Sequence, residues 1–301
     1  MEEEGGYPGF MGVGPEWTAY ERARVAILPV PFEATTTYVK GTRRGPEAII
    51  NASHNVELYD EELGRETYKD GIATLPPVAV ADLPFDQAAE RIAAAARQVL
   101  ADGKLLVSLG GEHSITPPLV DACASVAGRL TVLQLDAHSD LRDSYGGTPN
   151  SHACAMRRVT ERHPAVQVGI RSLCVEEAEL LRGGGHHVFF AHQMIGDSGW
   201  MDHALALLGE KVYLTIDLDY FDPSLIPAVG TPEPGGPGWY ETLRFLRRVA
   251  TERRIVAMDV VELCPIEGQV VSDFTAARLI YRLIGYSSIP PAGSNPRGRV
   301  G

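Results

Sequence analysis

Short, continuously apolar runs alternate with helical patterns along most of this chain of 301 residues. Strands that are apolar on both faces are expected where helices cover both sides of a sheet. Alternation of such strands with helices is typical of a mainly parallel, doubly wound sheet. We therefore predict an α/β protein with three layers, α/β/α. The predicted strands are residues 24–30, 104–110, 130–136, 165–171, 186–191, 212–219 and 254–263.

The chain shows no internal repeat and no linker, which indicates a single domain over residues 1–301 with its core at about residues 24–285. Residues 1–20 form an extension, and residues 287–301 are rich in Pro, Gly and Ser, so we expect both ends to be flexible. The predicted helices are residues 45–56, with Pro46 in the first turn, 85–100, 174–182, 238–252 and 271–285.

Composition and charge exclude several kinds of partner. The net charge of −12 disfavours nucleic acid, because no basic surface is available to displace counterions, and it suits a small cationic substrate. No apolar run approaches the roughly 20 residues of a membrane helix. The N-terminal MEEEGGYPGF lacks the features of a signal peptide. The cysteines form no CxxC pair, so we expect free thiols and a cytoplasmic location; they are Cys123, Cys154, Cys174 and Cys264.

Three potential metal ligands follow one of the apolar runs directly. Asp136, His138 and Asp140 alternate in LQLDAHSD, and side chains two residues apart in an extended strand point to the same side. In open parallel sheets, ligands bind beyond the carboxyl ends of the strands, which is where these residues lie. Two other predicted strands end in a similar way, one with Glu112 and His113 and the other with Asp217 and Asp219.

Four aspartates at one edge of a sheet would repel one another strongly unless cations neutralised them. Two divalent cations supply the matching charge, and mixed Asp and His ligands suit Mn²⁺, with Fe, Co, Ni and Zn as chemical alternatives. A pair of such ions activates water near neutral pH, so the implied chemistry is hydrolysis. A calcium loop is excluded because Leu141 occupies its glycine position. Asp136 taken alone would be interpreted as a helix cap.

The same stretches carry a resemblance to a known family. GGEHS (110–114), DAHSD (136–140) and DLDYFDPSLIPAVGTPEPGG (217–236) resemble three signatures of the ureohydrolases, the family of arginase and agmatinase. The similarity extends over roughly residues 24–285 and includes GTRRGPEAI (41–49) and VVELCP (260–265). It implies an arginase-like fold with two Mn²⁺ ions per subunit at the carboxyl ends of the strands.

Carried over residue by residue, the resemblance implies a ligand set and a catalytic set. Activated water would attack the guanidinium carbon of the substrate, releasing urea and an amine. Glu262 would hold the guanidinium nitrogens, His152 would protonate the leaving amine, and Asp140 completes the catalytic set. The implied ligands are His113 and Asp140 on one ion, His138 and Asp219 on the other, and Asp136 and Asp217 as bridges.

The segment around His152, SYGGTPNSHACAMRR (144–158), resembles agmatinases more than arginases, as does TPEPGG (231–236). Agmatine, hydrolysed to putrescine and urea in polyamine biosynthesis, is therefore the favoured substrate. The departures at Cys154, Ala155 and Met156 would make this wall of the pocket smaller and softer. N1-aminopropylagmatine, hydrolysed to spermidine and urea, is thus the alternative, and guanidinobutyrate is another. A distal amine could meet an acidic run, although such runs commonly form a solvated face: Glu57, Asp60, Glu61 and Glu62.

Two other classes of protein remain as alternatives. A deacetylase of related fold would share the Asp-x-His motif but use one zinc ion, whereas the pair Asp217 and Asp219 together with His113 favours two ions. A catalytically silent regulator of the family would be expected to lack ligands, and none is missing here. Members of the family commonly form trimers or hexamers, so a homotrimer or homohexamer is expected.

Overall fold

The computed structural model of the protein describes residues 9–197 and 199–289. In this part of the chain, one sheet contains the strands β1 (Val25–Val30), β4 (Ile72–Thr74), β5 (Leu105–Gly110), β6 (Thr131–Leu135), β7 (Ala165–Ile170), β8 (His187–Phe190), β9 (Lys211–Asp217) and β10 (Arg254–Val261). Their order across the sheet is β4-β1-β5-β10-β9-β6-β7-β8, and each neighbouring pair is parallel. The short strands β2 (Tyr59–Asp60) and β3 (Arg65–Glu66) form a separate antiparallel hairpin.

Helices cover both faces of the sheet, which confirms the predicted three-layer α/β/α fold. The helices are α1 (Pro15–Thr18), α2 (Gly45–Ser53), α3 (Phe85–Ala101), α4 (Thr116–Ala127), α5 (Ala155–Thr160), α6 (Val175–Arg182), α7 (Ala191–Met194), α8 (Gly199–Leu207), α9 (Trp239–Glu252) and α10 (Val271–Ser287). Helices α2, α8, α9 and α10 pack into one hydrophobic core, and α3, α4 and α5 pack into a second. Among the described residues, no helix combines the length and the apolar character needed to cross a bilayer.

The predicted strands and helices form where the sequence pattern placed them. Every residue of β1 is buried, as expected for a strand with helices on both sides. In α3 the buried residues Ala88, Ile92, Ala96 and Val99 recur at helical spacing and face the second core. The elements without a sequence prediction are short or lack a clear apolar period: the strand β4, the hairpin β2–β3 and the helices α1, α4, α5, α7 and α8.

Part of the N-terminal extension that the sequence predicts to be flexible packs against the core. Phe10 and Met11 are buried in the first core, and their backbone N–H groups donate to Thr74 Oγ1 and Ser53 Oγ, each at 2.8 Å. A residue pair that closes the core in this way gives no periodic signal. At the other end, α10 continues to Ser287, and most of the predicted flexible tail lies outside the described residues.

The strand order brings the predicted motifs together. Strands β5, β10, β9 and β6 are consecutive neighbours at the centre of the sheet, although they are distant in sequence. All four run in the same direction, so their carboxyl ends share one edge. Each of these four ends carries one of the motifs identified above.

Candidate active site

The six predicted metal ligands lie in two overlapping groups at this edge. In the first group, Nδ1 of His113 lies 3.1 Å from Asp136 Oδ2, 3.0 Å from Asp140 Oδ2 and 3.5 Å from Asp217 Oδ2. All four side chains are buried. His113, Asp136 and Asp140 are spaced closely enough to hold one cation.

The second group shares Asp136 with the first. Nδ1 of His138 lies 2.8 Å from Asp219 Oδ2 and 3.8 Å from Asp136 Oδ1, and these three residues are also spaced for one cation. Asp136 accepts hydrogen bonds from the His138 N–H and from Gln134 Nε2, each at 2.6 Å, so its carboxylate is held in place between the groups. A carboxylate shared in this way is suited to bridge two ions.

The electrostatics of the two groups demand positive charge. Burial and the charges of Asp219 and Asp140 raise the pKa of Asp136 to about 8. Burial, Asp219 and Asp136 raise the pKa of Asp217 well above its ordinary range. Carboxylates packed so closely remain ionised only when cations neutralise them. Two divalent ions would match the four aspartates.

The hydrogen bonds of His113 leave one ring nitrogen for a cation. The Thr215 hydroxyl donates to Asp259 Oδ1 at 2.6 Å, so it must accept from the Nε2–H of His113 at 2.9 Å. Nδ1, which faces the three carboxylates, is buried and has no hydrogen-bond partner among the described residues. A neutral imidazole held in this tautomer offers its lone pair to a metal ion. The donor set therefore fits a divalent cation at this position.

Thr215→Val is expected to weaken binding of the ion at His113 by roughly 10- to 100-fold, the usual effect of removing the partner that orients a metal-ligating histidine. Competition of Mn²⁺ with a chelator of known affinity measures this change. The matched control is Thr131→Val. Thr131 is also a buried strand residue, but it lies at the amino end of β6, away from the metal ligands at the carboxyl ends of the strands. Equal losses in both variants would contradict the role of Thr215.

Asp140 adopts an unusual backbone conformation that its neighbours hold. Its φ is 52°, a region that few residues other than glycine occupy. Glu177 stabilises the turn by accepting from the Ser139 hydroxyl at 2.7 Å and from the Leu141 N–H at 2.9 Å. The Arg157 N–H donates to the Asp140 carbonyl at 2.9 Å. The backbone turns at Asp140 instead of continuing as a strand, and the Asp140 carboxylate lies beside His113.

Glu262 shows the same combination of strain and support. Its φ is 65°, and its N–H donates to the Gly111 carbonyl at 2.8 Å. Its Oε1 accepts from the His113 N–H at 2.7 Å, so the carboxylate lies beside the first ligand group. Burial and the charges of Asp217 and Glu112 raise the pKa of Glu262 well above its usual range. Residues held in strained conformations are concentrated at functional sites, and a cation beside Glu262 would relieve this repulsion.

A cavity of about 210 Å³ opens onto both groups. Its lining includes the predicted catalytic residues His152 and Glu262, together with five of the six predicted ligands. His152 begins the short 3₁₀ helix His152–Cys154, in the loop that follows β6. The structure therefore brings seven of the eight predicted site residues to the wall of one cavity, and the eighth, Asp136, lies 3.1 Å from Nδ1 of His113, which lines it. Its outer walls are Thr36, Thr37, Tyr38, Val39, Arg142, Tyr145, Ala153, Ser172, Gly230 and Thr231.

The prediction that Cys154, Ala155 and Met156 form a wall of the substrate pocket is wrong. These three side chains are almost completely buried and do not line the cavity, and Met156 belongs to the second hydrophobic core. Cys154 ends the 3₁₀ helix and α5 starts at Ala155, and these helices turn the three side chains inward, whereas His152 and Ala153 line the cavity. Substitutions at Cys154, Ala155 and Met156 therefore do not set the space available to the substrate.

The acidic run of Glu57, Asp60, Glu61 and Glu62 has a structural role and is not placed to receive a distal amine of the substrate. Its members do not line the cavity, and they contact arginines of α10. Arg282, which is buried, pairs with Asp60 at 3.0 Å and with Glu62 at 2.8 Å. Arg278 pairs with Glu61 at 2.8 Å and donates to the carbonyl of Glu57. These ion pairs attach the β2–β3 hairpin to the helix.

Arg171 supports the site and was not predicted. Its guanidinium group donates to the carbonyl of Gly169 in β7 and to carbonyls of the segment that follows β9, including Asp219 O at 2.7 Å and Glu233 O at 2.7 Å. It thereby holds the turn that presents the Asp219 side chain. An isolated arginine after a strand carries no sequence pattern that distinguishes this role from a surface position.

A parallel sheet whose central strands end in two overlapping His/Asp groups, within a cavity that also holds a buried glutamate, is the arrangement of a hydrolase acting on guanidino groups. Residues 23–285 match the sequence profile of the arginase family. The chain belongs to the arginase family, as its motifs predicted, and its members are ureohydrolases known for a binuclear metal centre.

Named relatives agree with this assignment. The chain is 44% identical to the N(1)-aminopropylagmatine ureohydrolase of Synechocystis sp., over 89% of this chain and 90% of the relative. It is 40% identical to the protein of the same name from Thermus thermophilus, over 92% and 94% of the two chains. The structure of the agmatine ureohydrolase of Thermoplasma volcanium superimposes with a TM-score of 0.84 at 28% identity, covering 95% of each chain.

Proposed function

We propose that this protein hydrolyses N1-aminopropylagmatine to spermidine and urea. The observation that carries the reaction is the pair of His/Asp groups sharing Asp136 in one cavity with Glu262 and His152. The substrate is proposed from the relatives, because those at 44% and 40% identity are both named for it. Agmatine, the substrate favoured by the sequence motifs, is less well supported, since the agmatinase of Pyrococcus horikoshii is 34% identical and the structure named for agmatine 28% identical.

The proposed cofactor is a pair of Mn²⁺ ions. Mixed imidazole and carboxylate ligands suit Mn²⁺, and the lone pair of His113 Nδ1 supports a site for a cation. In the proposal, bound ions supply an activated water at neutral pH. The proposed ligands are His113 and Asp140 for one ion, His138 and Asp219 for the other, and Asp136 and Asp217 between them.

The protein's own residues bind the substrate and move one proton. The Glu262 carboxylate accepts N–H bonds from the guanidinium group, a planar cation whose charge compensates the buried carboxylate. His152 gives a proton to the leaving nitrogen as its bond to the guanidinium carbon breaks. One water is consumed for each urea and each alkylammonium released, so atoms and charge balance.

The outer cavity suits an extended, cationic tail. The rings of Tyr38, which is 78% exposed, and Tyr145 flank the opening and provide surfaces for methylene groups and ammonium groups. The guanidinium of Arg142 lies 4.9 Å from the centre of the Tyr145 ring, and its Nε lies 4.0 Å from Glu177 Oε2. The tyrosine rings at the opening offer contact surface for a polyamine tail, which supports the proposed substrate.

Urea release after loading with Mn²⁺ tests the proposal. We expect kcat/KM for N1-aminopropylagmatine to exceed that for agmatine by at least about 10-fold, because the longer tail adds contacts within the outer cavity. Arginine and guanidinobutyrate should react more slowly than agmatine. If agmatine were hydrolysed faster, the proposed substrate would be wrong. If none of the four compounds released urea, the proposed function would be wrong. An acetylated polyamine in the same assay tests the deacetylase alternative.

A further inference from the structure

Thr35 connects a buried glutamate to the predicted proton donor. Thr35 lies in the loop after β1, about 117 residues before His152 in the chain. Its Oγ1 lies 2.9 Å from Glu112 Oε1, 2.9 Å from Nδ1 of His152 and 3.0 Å from the backbone nitrogen of His152. The Thr35 hydroxyl therefore contacts the Glu112 carboxylate and both the backbone nitrogen and the ring Nδ1 of His152.

Glu112 is held as an acceptor. It is fully buried, and its Oε2 accepts from the N–H groups of Ala34, Thr35 and Thr36 at 2.7, 2.6 and 3.2 Å. Its Oε1 also accepts from the Ser114 hydroxyl at 2.6 Å. The neighbouring Gly111 permits this arrangement, since a side chain there would collide with the carbonyl oxygen of Phe32. Every group around this carboxylate donates to it.

The hydrogen count at Thr35 then fixes the tautomer of His152. A threonine hydroxyl has one hydrogen, and Glu112 takes it, because a carboxylate surrounded by donors only accepts. Thr35 Oγ1 therefore accepts from the His152 backbone N–H and from the ring Nδ1–H. Nε2 remains as the nitrogen that exchanges a proton with the substrate. The ring of Tyr145 packs edge-on against the imidazole, with centroids 5.9 Å apart, and restricts its rotation.

We propose that Thr35, oriented by Glu112, is a positioning residue that holds His152 with its proton on Nδ1 and presents Nε2 to the leaving amine. The inference rests on the proposed function, in which His152 protonates the nitrogen that leaves. During that step the Nε2–H bond breaks and an N–H bond forms on the leaving nitrogen, while Nδ1–H stays bonded to Thr35. After the transfer the imidazole ring is neutral and keeps its remaining proton on Nδ1, where it donates to Thr35 Oγ1.

The test compares Thr35→Val with Thr35→Ser in the Mn²⁺-loaded enzyme. Valine has the shape of threonine but lacks the hydroxyl, and Glu112 keeps its four other donors. We expect Thr35→Val to lower kcat on N1-aminopropylagmatine by about 100-fold, within the usual contribution of a general acid, and to change KM little. Thr35→Ser should restore most of kcat. Both variants should bind as much Mn²⁺ as the wild type.

A change of leaving group distinguishes positioning from structural damage. In a guanidinooxy analogue of the substrate, oxygen replaces the methylene next to the guanidine, and the weakly basic leaving amine needs little protonation. Thr35→Val should therefore slow the analogue by less than about 10-fold. Equal losses on both substrates, loss of Mn²⁺, or no rescue by serine would overturn the role of Thr35. Absence of urea from the wild type would instead overturn the proposed function.

Discussion

Asp136→Asn is expected to reduce bound Mn²⁺ from two ions to one or none per chain and to lower kcat/KM by at least about 1000-fold. Asp136 belongs to both His/Asp groups, so its loss weakens both sites at once. An asparagine also brings an NH₂ group against donors that now point at the carboxylate, the His138 N–H and Gln134 Nε2. Such a buried mismatch leaves polar groups without partners.

In the metal-free protein, the same substitution is expected to leave the thermal stability of the fold unchanged or to increase it. Burial, Asp219 and Asp140 raise the pKa of Asp136 to about 8, so its charge destabilises the fold at higher pH when no cation compensates it. Asparagine removes that charge, and we expect this gain to outweigh the mismatched hydrogen bond. At pH 8.5, a pH chosen to lie about half a unit above that pKa, the metal-free variant should therefore unfold at a temperature equal to or above that of metal-free wild type. Added Mn²⁺ should raise Tm of the wild type strongly and that of the variant little.

Metal analysis, urea release and thermal unfolding of the same preparations measure these three effects. Asp202→Asn is the control, because Asp202 is 70% exposed in its side chain and forms only a surface ion pair with Arg248. It should match the wild type in all three measurements. If Asp136→Asn kept two ions and normal turnover, Asp136 would not bridge a metal pair.

The fold and the ligand set could be predicted because their signals are local. Asp136, His138 and Asp140 stand within five residues of one another, directly after an apolar run. Once the strands are parallel, the carboxyl ends of β5, β6 and β9 must lie on one edge of the sheet, whatever their order. Alternation of strands and helices predicts that direction, so the motifs are expected on one edge, but only the strand order β5-β10-β9-β6 makes them neighbours.

The supporting residues could not be predicted, because their roles depend on contacts between distant segments. Thr35 reaches His152 across 117 residues, and Asp259 reaches His113 only through Thr215. A threonine in a loop or an aspartate inside a strand has no spacing that indicates such a partner. Arg171 is similar, since its partners are backbone carbonyls, which any sequence supplies.

The substrate wall was predicted wrongly for a related reason. Cys154, Ala155 and Met156 follow His152 in sequence, but a 3₁₀ helix ends at Cys154, α5 begins at Ala155, and their side chains are buried in the interior. The wall is formed by residues from another loop, including Tyr38, and by Tyr145. Proximity in sequence to a catalytic residue is therefore a poor guide to contact with the substrate when a helix starts between them.

Glu262→Gln is expected to lower kcat/KM by about 100- to 10,000-fold while both metal ions remain bound, because charge-assisted hydrogen bonds to the guanidinium are lost at about 1.5–3 kcal/mol each. Glutamine has the same shape, and its carbonyl oxygen still accepts from the His113 N–H that now donates to Glu262 Oε1 at 2.7 Å. The metal site should therefore survive. What is lost is the negative charge and one acceptor that face the cavity.

The expected signature is a defect in binding of the guanidinium group. Guanidinium chloride should inhibit the wild type competitively, and its inhibition constant should rise in Glu262→Gln together with KM, while Mn²⁺ content stays constant. Glu267→Gln is the matched control, since Glu267 is an exposed glutamate on the same loop. Loss of metal in Glu262→Gln would mean that Glu262 acts through His113. Unchanged inhibition by guanidinium would mean that the substrate's cation is held elsewhere in the cavity.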